Sequence, residues 1–352
     1  MLEKKAADIP VIGITCGDVN GVGPELIMKI FSDSRMTQLC TPVIYASGKV
    51  FAFYRKLLNL NKFNYNQIAR VGDIQRKRVN LLHCFDKDID ITPGKVTSIS
   101  GELSLASLEK ATKDLIDEKI DALVTAPINK DNMQSDKFSF PGHTEYLTQK
   151  SGATDSLMLM TSELLRVGVI TGHIPIKDIS TAITQELIIR KTLILNNTLK
   201  EDFGIMRPKI AILGLNPHAG ENGLLGKEEI DIILPAINTL RDKHNILVSD
   251  PLPADGYFGT SQFRNYDATL AMYHDQGLVP FKTIDFESGV NYTAGLNVVR
   301  TSPDHGTAYS IAGKGIAETS SMLQSIYTAI DVVNTRKKNQ ELIEEKQNAY
   351  QD

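Results

Sequence analysis

Short apolar runs, each closed by a tight polar bend, recur along this chain, and the segments between them favour helix. Runs at 10–16, 42–46, 79–84, 121–125, 157–161, 167–171, 209–215 and 268–273 read as buried strands. A parallel strand covered on both faces is apolar throughout rather than alternating. Helical segments start at 24 and fall at 50–58, 101–118, 185–199, 227–243 and 315–333, with a short one at 146–150. This alternation of strand and helix implies an α/β fold with a largely parallel sheet and helices on both faces. A chain of 352 residues exceeds one ordinary core, so two α/β/α domains flanking a cleft are expected. Their bounds are read as 1–135 with 300–352, and 136–299.

Composition narrows the function classes. With 42% hydrophobic and 23% charged residues the chain has the make-up of a globular enzyme. A net charge of −4, without a basic stripe interleaved with aromatics, argues against nucleic acid as a partner. No apolar stretch approaches the roughly 18 residues of a membrane helix, and the N-terminus lacks the apolar centre of a signal peptide. The cysteines Cys16, Cys40 and Cys84 are odd in number and widely spaced, which fits free thiols in a reducing cytoplasm. Cys16 ends a strand beside a glycine loop and reads as a buried small hydrophobe. The charged stretch 336–347 reads as a solvated helix end or a frayed tail.

Three of the seven histidines sit just past apolar runs, each in a polar bend marked by Gly or Pro: Thr171-Gly-His173-Ile-Pro, Leu215-Asn-Pro-His218-Ala-Gly and Tyr273-His274-Asp-Gln-Gly. Open α/β sheets bind ligands beyond the carboxyl ends of their strands. One such histidine reads as an ordinary hydrogen-bonded loop residue. Three in the same context favour a metal triad of His173, His218 and His274, a donor set suited to a divalent ion. His83, inside an apolar run, and His244, in a charged helix end, have no such context.

Other motifs carry two readings each. Gly17-Asp18-Val19-Asn20-Gly21-Val22-Gly23-Pro24-Glu25 joins the first strand to the first helix. It is either a tight strand-to-helix turn or a loop whose helix N-terminus receives phosphate. It is neither a Walker A loop nor GxGxxG, so any dinucleotide is held in another way. Gly142-His143-Thr144-Glu145 is either a helix cap by Thr144 or a turn that touches a ligand. Lys282, Asn291 and Arg300 follow His274 and are surface residues or the anchors of a substrate bearing phosphate and carboxylate. The segment 300–315, rich in small residues, has room around Gly306, Thr307 and Ala308 for a flat ligand such as a nucleotide, or is a polar loop entering the last helix.

Taken together, these stretches resemble the 4-hydroxythreonine-4-phosphate dehydrogenase family of pyridoxal-phosphate biosynthesis. The resemblance runs from about 12 to 333. It rests on the glycine loop, Thr125-Ala-Pro-Ile-Asn-Lys130, Gly142-His143-Thr144-Glu145, Thr171-Gly-His173, Leu215-Asn-Pro-His218-Ala-Gly-Glu-Asn-Gly, Pro253-Ala-Asp255, Tyr273-His274-Asp275-Gln-Gly and Arg300-Thr-Ser-Pro-Asp-His-Gly-Thr-Ala. The glycine loop and the HGTA…IAGKG segment also resemble the isocitrate and isopropylmalate dehydrogenases, whose fold is then expected.

The resemblance implies oxidation of 4-phosphooxy-L-threonine to 2-amino-3-oxo-4-phosphooxybutanoate, which loses CO2 to give 3-amino-2-oxopropyl phosphate. It implies NAD or NADP and one divalent ion per site, Zn²⁺, Mg²⁺ or Co²⁺. His173, His218 and His274 match metal ligands, His274 being supplied by the partner subunit of a cytoplasmic homodimer. His143, Thr144, Lys282, Asn291 and Arg300 match substrate contacts, and Lys282 or His143 is placed to assist proton transfer. Two positions depart from the family: Val19-Asn20 stands where Pro-Ala is usual, and Gly256 follows Asp255 where Thr or Ser is usual. Other substrates in view are phosphorylated four-carbon acids such as 4-phospho-threonate and 4-phospho-erythronate. Two further classes are a phosphate acyltransferase of the same broad fold and a metal-stabilised binding protein.

Overall fold

The computed structural model describes residues 9–85, 90–134, 138, 140 and 142–349. The N-terminal stretch 1–8, judged above to lack a signal-peptide centre, lies outside the described residues, as do residues 86–89. The chain is α/β and divides into two compact units, Met1–Gly152 with Asn297–Asn334, and Ala153–Leu296 with Thr335–Asp352. Its strands among the described residues are β1 (Val11–Thr15), β2 (Thr41–Ala46), β3 (Asn66–Ile68), β4 (Asn80–His83), β5 (Ala122–Thr125), β6 (Leu157–Thr161), β7 (Arg166–Thr171), β8 (Lys209–Ile212), β9 (Leu247–Val248), β10 (Ala268–Tyr273), β11 (Val290–Ala294) and β12 (Val299–Pro303).

In the first unit the strand order is β3-β4-β2-β1-β5-β12, and every pairing is parallel. β1, β2 and β5 are buried along their whole length, as continuous apolar runs require. Parallel neighbours need long crossovers, and the helices Gly23–Phe31, Gly48–Leu57 and Ser98–Ile116 supply them. The longest is capped by Thr97, whose hydroxyl accepts from the Ser100 amide at 3.1 Å. β12 was not legible as a strand, because Arg300 and three hydroxyl or imino residues break its apolar pattern. It pairs with β5, Arg300 facing Leu123.

The second unit is parallel except at one strand. Its order is β11-β6-β7-β10-β8-β9. β7, β10, β8 and β9 run parallel, but β6 is antiparallel to both β7 and β11. The cause is loop length: Thr161 and Arg166 are joined by a short turn in which Ser162 N donates to Leu165 O at 3.0 Å. A turn of that size permits a hairpin and no crossover. Val167, Val169, Leu213, Ala271, Leu278 and Phe281 form the core beneath these strands.

Two helices also differ from the sequence reading. The expected 227–243 helix is a π-helical turn, Glu229–Ile233, followed by an α-helix, Leu234–His244. Pro235 lacks the N–H that a regular helix would use there. The last helix is Ser320–Ala349, so the charged 336–347 stretch is helical rather than frayed. Arg336 Nε donates to the buried carboxylate of Asp202 at 2.6 Å, and Asn339 Nδ2 donates to Glu201 O at 3.0 Å. Among the described residues no helix is long and apolar enough to cross a membrane.

Candidate active site

Arg300 lies inside the first unit on β12, 3% exposed. Its Nη2 donates to Thr125 Oγ1 at 2.8 Å and its Nε to the same oxygen at 3.2 Å. Nη1 reaches Thr144 Oγ1 at 3.4 Å, and Nη2 lies 3.3 Å from His143 Nδ1. Burial lowers the guanidinium's pKa to about 10, so it stays charged at neutral pH. Burial, then the charges of Arg300 and Lys130, hold the His143 pKa well below its usual value, so that ring is neutral. The helix His143–Lys150 begins after Gly142 without any side-chain cap. Thr144 is therefore not the cap that its position suggested; its hydroxyl serves Arg300. The His143 Nε2 is buried without a hydrogen-bond partner among the described residues. Arg300, His143 and Thr144 were all singled out in the sequence. Thr125, which holds the guanidinium, was quoted in a motif but given no role.

The glycine loop is not an open phosphate cradle. Four of its amides are committed: Asp18 N donates to Pro127 O, Asn20 N to Asp18 Oδ1, Gly21 N to Asp18 O and Val22 N to Thr307 O. A Cβ on Gly17 would collide with Pro127 O, and one on Gly23 with Cys16 O. The three glycines are thus explained by close packing. Asp18, fully buried, accepts from Asn20 N, Ser100 Oγ, Asn132 Nδ2 and Tyr309 OH, all within 2.9 Å. Asn20, one of the two departures, has a structural use. Its Nδ2 donates to Lys95 O at 3.0 Å, and its Oδ1 accepts from Thr92 N at 2.9 Å, pinning that loop. The Cys16 thiol beside it is buried, which raises its pKa to about 12 and leaves it an inert hydrophobe.

Of the expected dinucleotide contacts, Thr307 gives its carbonyl to Val22 N, and Ala308 takes a left-handed backbone, φ +46°. A Cβ built on Gly306 would meet nothing within 4 Å, so the space beside it is open.

The three candidate metal ligands belong to the second unit. His173 follows β7, His274 follows β10, and Thr171 Oγ1 donates to Met272 O at 2.8 Å between those strand ends. The two rings lie 5.5 Å apart, centroid to centroid, within one chain. His274 is not in a bend. It opens the helix His274–Ile284, with Pro280 tolerated inside. Its Nδ1 lies 2.7 Å from Asp275 Oδ1. His218 sits in the loop after β8 with a left-handed backbone, as do Ala219, Gly220, Glu221 and Asn222 after it. Such conformations cost about 1–2 kcal/mol for each non-glycine residue. Runs of them persist where surrounding contacts enforce them and cluster at functional sites.

The donor set suits a divalent ion. Imidazoles are preferred ligands of zinc and its neighbours. Two rings on one tetrahedral ion at about 2.1 Å have centroids about 5.2 Å apart, close to the 5.5 Å observed. The Asp275 carboxylate, which can only accept, faces Nδ1 of His274, the kind of contact that orients a metal-ligating imidazole through its other nitrogen. His218 does not join the pair: among the described residues of one chain, no three His, Cys, Asp or Glu are grouped to hold an ion.

Lys282 lies in the last turn of His274–Ile284, its ammonium 6.0 Å from the Phe286 ring centre. Asn291 lies on β11, and its Oδ1 is buried without a hydrogen-bond partner among the described residues. Gly256, the second departure, needs no glycine: a Cβ there would meet only Pro253 Cγ, at 3.9 Å. Nothing in the structure explains that substitution.

Comparison with known proteins gives one family. Its profile, described as pyridoxal phosphate biosynthetic protein PdxA, matches residues 38–329. A Bacteroides thetaiotaomicron protein named 4-hydroxythreonine-4-phosphate dehydrogenase is 49% identical over 328 residues, 93% of this chain and 90% of its own. A relative from Oceanobacillus iheyensis, provisionally named D-threonate 4-phosphate dehydrogenase, is 37% identical over 331 residues, covering 93% of this chain and 99% of its own. The crystal structure of 4-hydroxythreonine-4-phosphate dehydrogenase from Klebsiella pneumoniae superposes with a TM-score of 0.79 at 34% identity, over 94% of this chain and 99% of that one.

Proposed function

The chain belongs to the family of the pyridoxal phosphate biosynthetic protein PdxA, and from that premise we propose that it is a 4-hydroxythreonine-4-phosphate dehydrogenase. It oxidises the secondary hydroxyl of 4-phosphooxy-L-threonine with NAD or NADP. The product, a β-keto acid, loses CO2 to give 3-amino-2-oxopropyl phosphate. The observation that carries this reading is the arrangement around Arg300: a buried cation, two hydroxyls and a neutral imidazole with an unsatisfied ring nitrogen. Such a cluster binds and orients an anionic substrate.

His173, His218 and His274 hold one divalent ion. Bound there, the ion supplies Lewis-acid polarisation, and the dinucleotide supplies the two-electron oxidant. Arg300 and Thr144 fix the anion, and His143 donates from Nε2. Asn291 Oδ1 accepts a substrate proton donor, and Lys282 adds positive charge and can move a proton. Gly306, Thr307 and Ala308 line the dinucleotide site. The enzyme works as a homodimer in the cytoplasm, with at least one of the three imidazoles supplied by the partner chain. Exposed apolar side chains near each histidine support an interface there: Ile174 and Ile176 after His173, Leu224 and Leu225 after His218, and Val279 on the His274 helix.

The test is absorbance of NADH and NADPH formed with 4-phosphooxy-L-threonine, before and after a chelator, beside a panel of phosphorylated four-carbon acids. Faster turnover of 4-phospho-D-threonate would favour the second reading, which the Oceanobacillus iheyensis relative supports. Chelator-insensitive acyl transfer from an acyl phosphate to coenzyme A, without reduction of dinucleotide, would refute both.

A further inference from the structure

We propose that Glu229 is a positioning residue for His218, and that its carboxylate sets the protein's affinity for the divalent ion. This rests on the reading of His218 as a ligand. Glu229 opens the π-helical turn and is 3% exposed. Its Oε1 accepts from both Leu215 N and Asn216 N at 2.7 Å, and its Oε2 accepts from Asn216 Nδ2 at 2.9 Å. These are the residues that lead into Pro217 and His218. The left-handed run then wraps around the same carboxylate. A Cβ on Gly220 would lie 2.6 Å from Oε2, and one on Gly214 would lie 3.1 Å from Oε1.

The loop's other contacts converge on this point. Asn216 O accepts from Ala219 N at 3.1 Å, and Gly220 O from Leu225 N at 3.1 Å. Four non-glycine residues in left-handed geometry do not hold themselves. The buried carboxylate holds the two amides just before that run, Leu215 N and Asn216 N, and so anchors the backbone from which His218 projects. A π-turn at this position fits the same role, since single π-turns inside helices recur at functional sites. Glu229 lies outside every apolar or glycine pattern of the sequence and touches no candidate ligand directly.

The experiment uses the full-length protein stripped of metal, with Co²⁺ as the probe, read by calorimetry and by the visible absorption of bound Co²⁺. His218→Ala, Glu229→Gln, Glu229→Ala and the double variant His218→Ala/Glu229→Gln are compared, with Tm measured on each metal-free protein. Glu229→Gln keeps the size and one acceptor oxygen, so it tests the role even where Glu229→Ala fails to fold. The expected result is a loss of Co²⁺ affinity of about tenfold or more for Glu229→Gln. No further loss is expected when His218 is already Ala, whereas the Tm change persists in both backgrounds. Wild-type affinity in Glu229→Gln, beside weakened binding in His218→Ala, overturns the proposal. An equal loss in both backgrounds also overturns it, because Glu229 then acts on the fold at large. Unchanged affinity in His218→Ala removes His218 from the ligand set, and the proposal falls with that reading.

Discussion

Arg300 Nη2 lies 3.3 Å from His143 Nδ1, and this fixes the tautomer of the imidazole. A guanidinium only donates. Nδ1 is therefore the acceptor, and the neutral ring carries its single proton on Nε2, the nitrogen buried without a partner among the described residues. In this state His143 is a donor, not a base. A hydrogen bond to a charged group contributes about 1.5–3 kcal/mol. His143→Ala should then lower kcat/KM by about 10- to 150-fold. His143→Gln, whose amide can still donate, should recover much of that, and His143→Leu should not. Failure of Gln to outperform Leu, with a lost acidic limb in the pH–rate profile, would restore His143 as the proton acceptor.

The same ring makes stability depend on pH. Burial, then Arg300 and Lys130, depress its pKa below the ordinary 6.5. The unfolded chain therefore binds a proton as pH falls through about 6.5, and the folded protein does not until lower pH. Stability from this group is full above about 6.5 and declines as pH falls below it. Tm should drop more steeply for the wild type than for His143→Gln between about pH 7 and 5. Parallel curves for the two proteins would show that the ring titrates normally.

Arg300 should act on the substrate and not on the dinucleotide. Removing a buried charged hydrogen bond costs about 2–5 kcal/mol, so Arg300→Ala should weaken kcat/KM by about 30-fold or more. Arg300→Lys should rescue little, because an ammonium cannot reproduce the fork that spans Thr125 and Thr144. NAD affinity, followed by fluorescence quenching, should stay within about twofold of wild type. A changed NAD affinity with an unchanged KM would move Arg300 to the cofactor site.

The extent to which the sequence disclosed this arrangement follows from where the chemistry sits. β1, β2, β5, β7 and β10 were legible because strands buried on both faces are unbroken apolar runs. β12 was not, since its buried face carries Arg300, and β11 carries Asn291. A functional strand hides itself by carrying polar groups inward. The histidines were legible by type and by position at strand ends. Thr125, Glu229 and Gln276 were not, because their roles depend on backbone amides and side chains distant in sequence. Gln276 Oε1 accepts from Met272 N, and its Nε2 donates to Gly214 O. It thereby ties the His274 helix to the start of the His218 loop, a link no local pattern encodes. The glycine loop allowed two readings, and its amide bonds to Asp18, Pro127 and Thr307, none of them visible in a sequence pattern, favour the tight strand-to-helix turn.

The last helix offers a test of stability apart from catalysis. Arg336 Nε lies 2.6 Å from Asp202 Oδ1, and Tyr292 OH donates to Asp202 Oδ2 at 2.7 Å. Removing one partner of a buried pair strands the other charge, at about 3–5 kcal/mol. Arg336 is partly exposed, so Arg336→Ala should sit near about 3 kcal/mol in urea unfolding. Asp202→Asn should be milder, since an amide oxygen can still accept from Tyr292 or Arg336. A change under about 0.5 kcal/mol for Arg336→Ala would mean that the helix end is held by its apolar face alone.

Subunit mixing decides which imidazole crosses between chains. The family resemblance assigns His274 to the partner, yet the His173 and His274 rings lie 5.5 Å apart within one chain, near the spacing that one ion demands. If those two act together, the partner supplies His218. Inactive His173→Ala mixed with inactive His218→Ala then gives dimers with one intact site, as does His218→Ala with His274→Ala. His173→Ala mixed with His274→Ala gives none, because each site loses one of its same-chain pair. If His274 crosses instead, His173→Ala with His274→Ala recovers activity, and His173→Ala with His218→Ala does not. From the observed ring pair we expect the first pattern, measured as NADH formation after verified subunit exchange. Recovery from His173→Ala with His274→Ala would show that the same-chain pair is not the pair on the ion. No recovery from any pair would place all three ligands in one chain and remove the shared site.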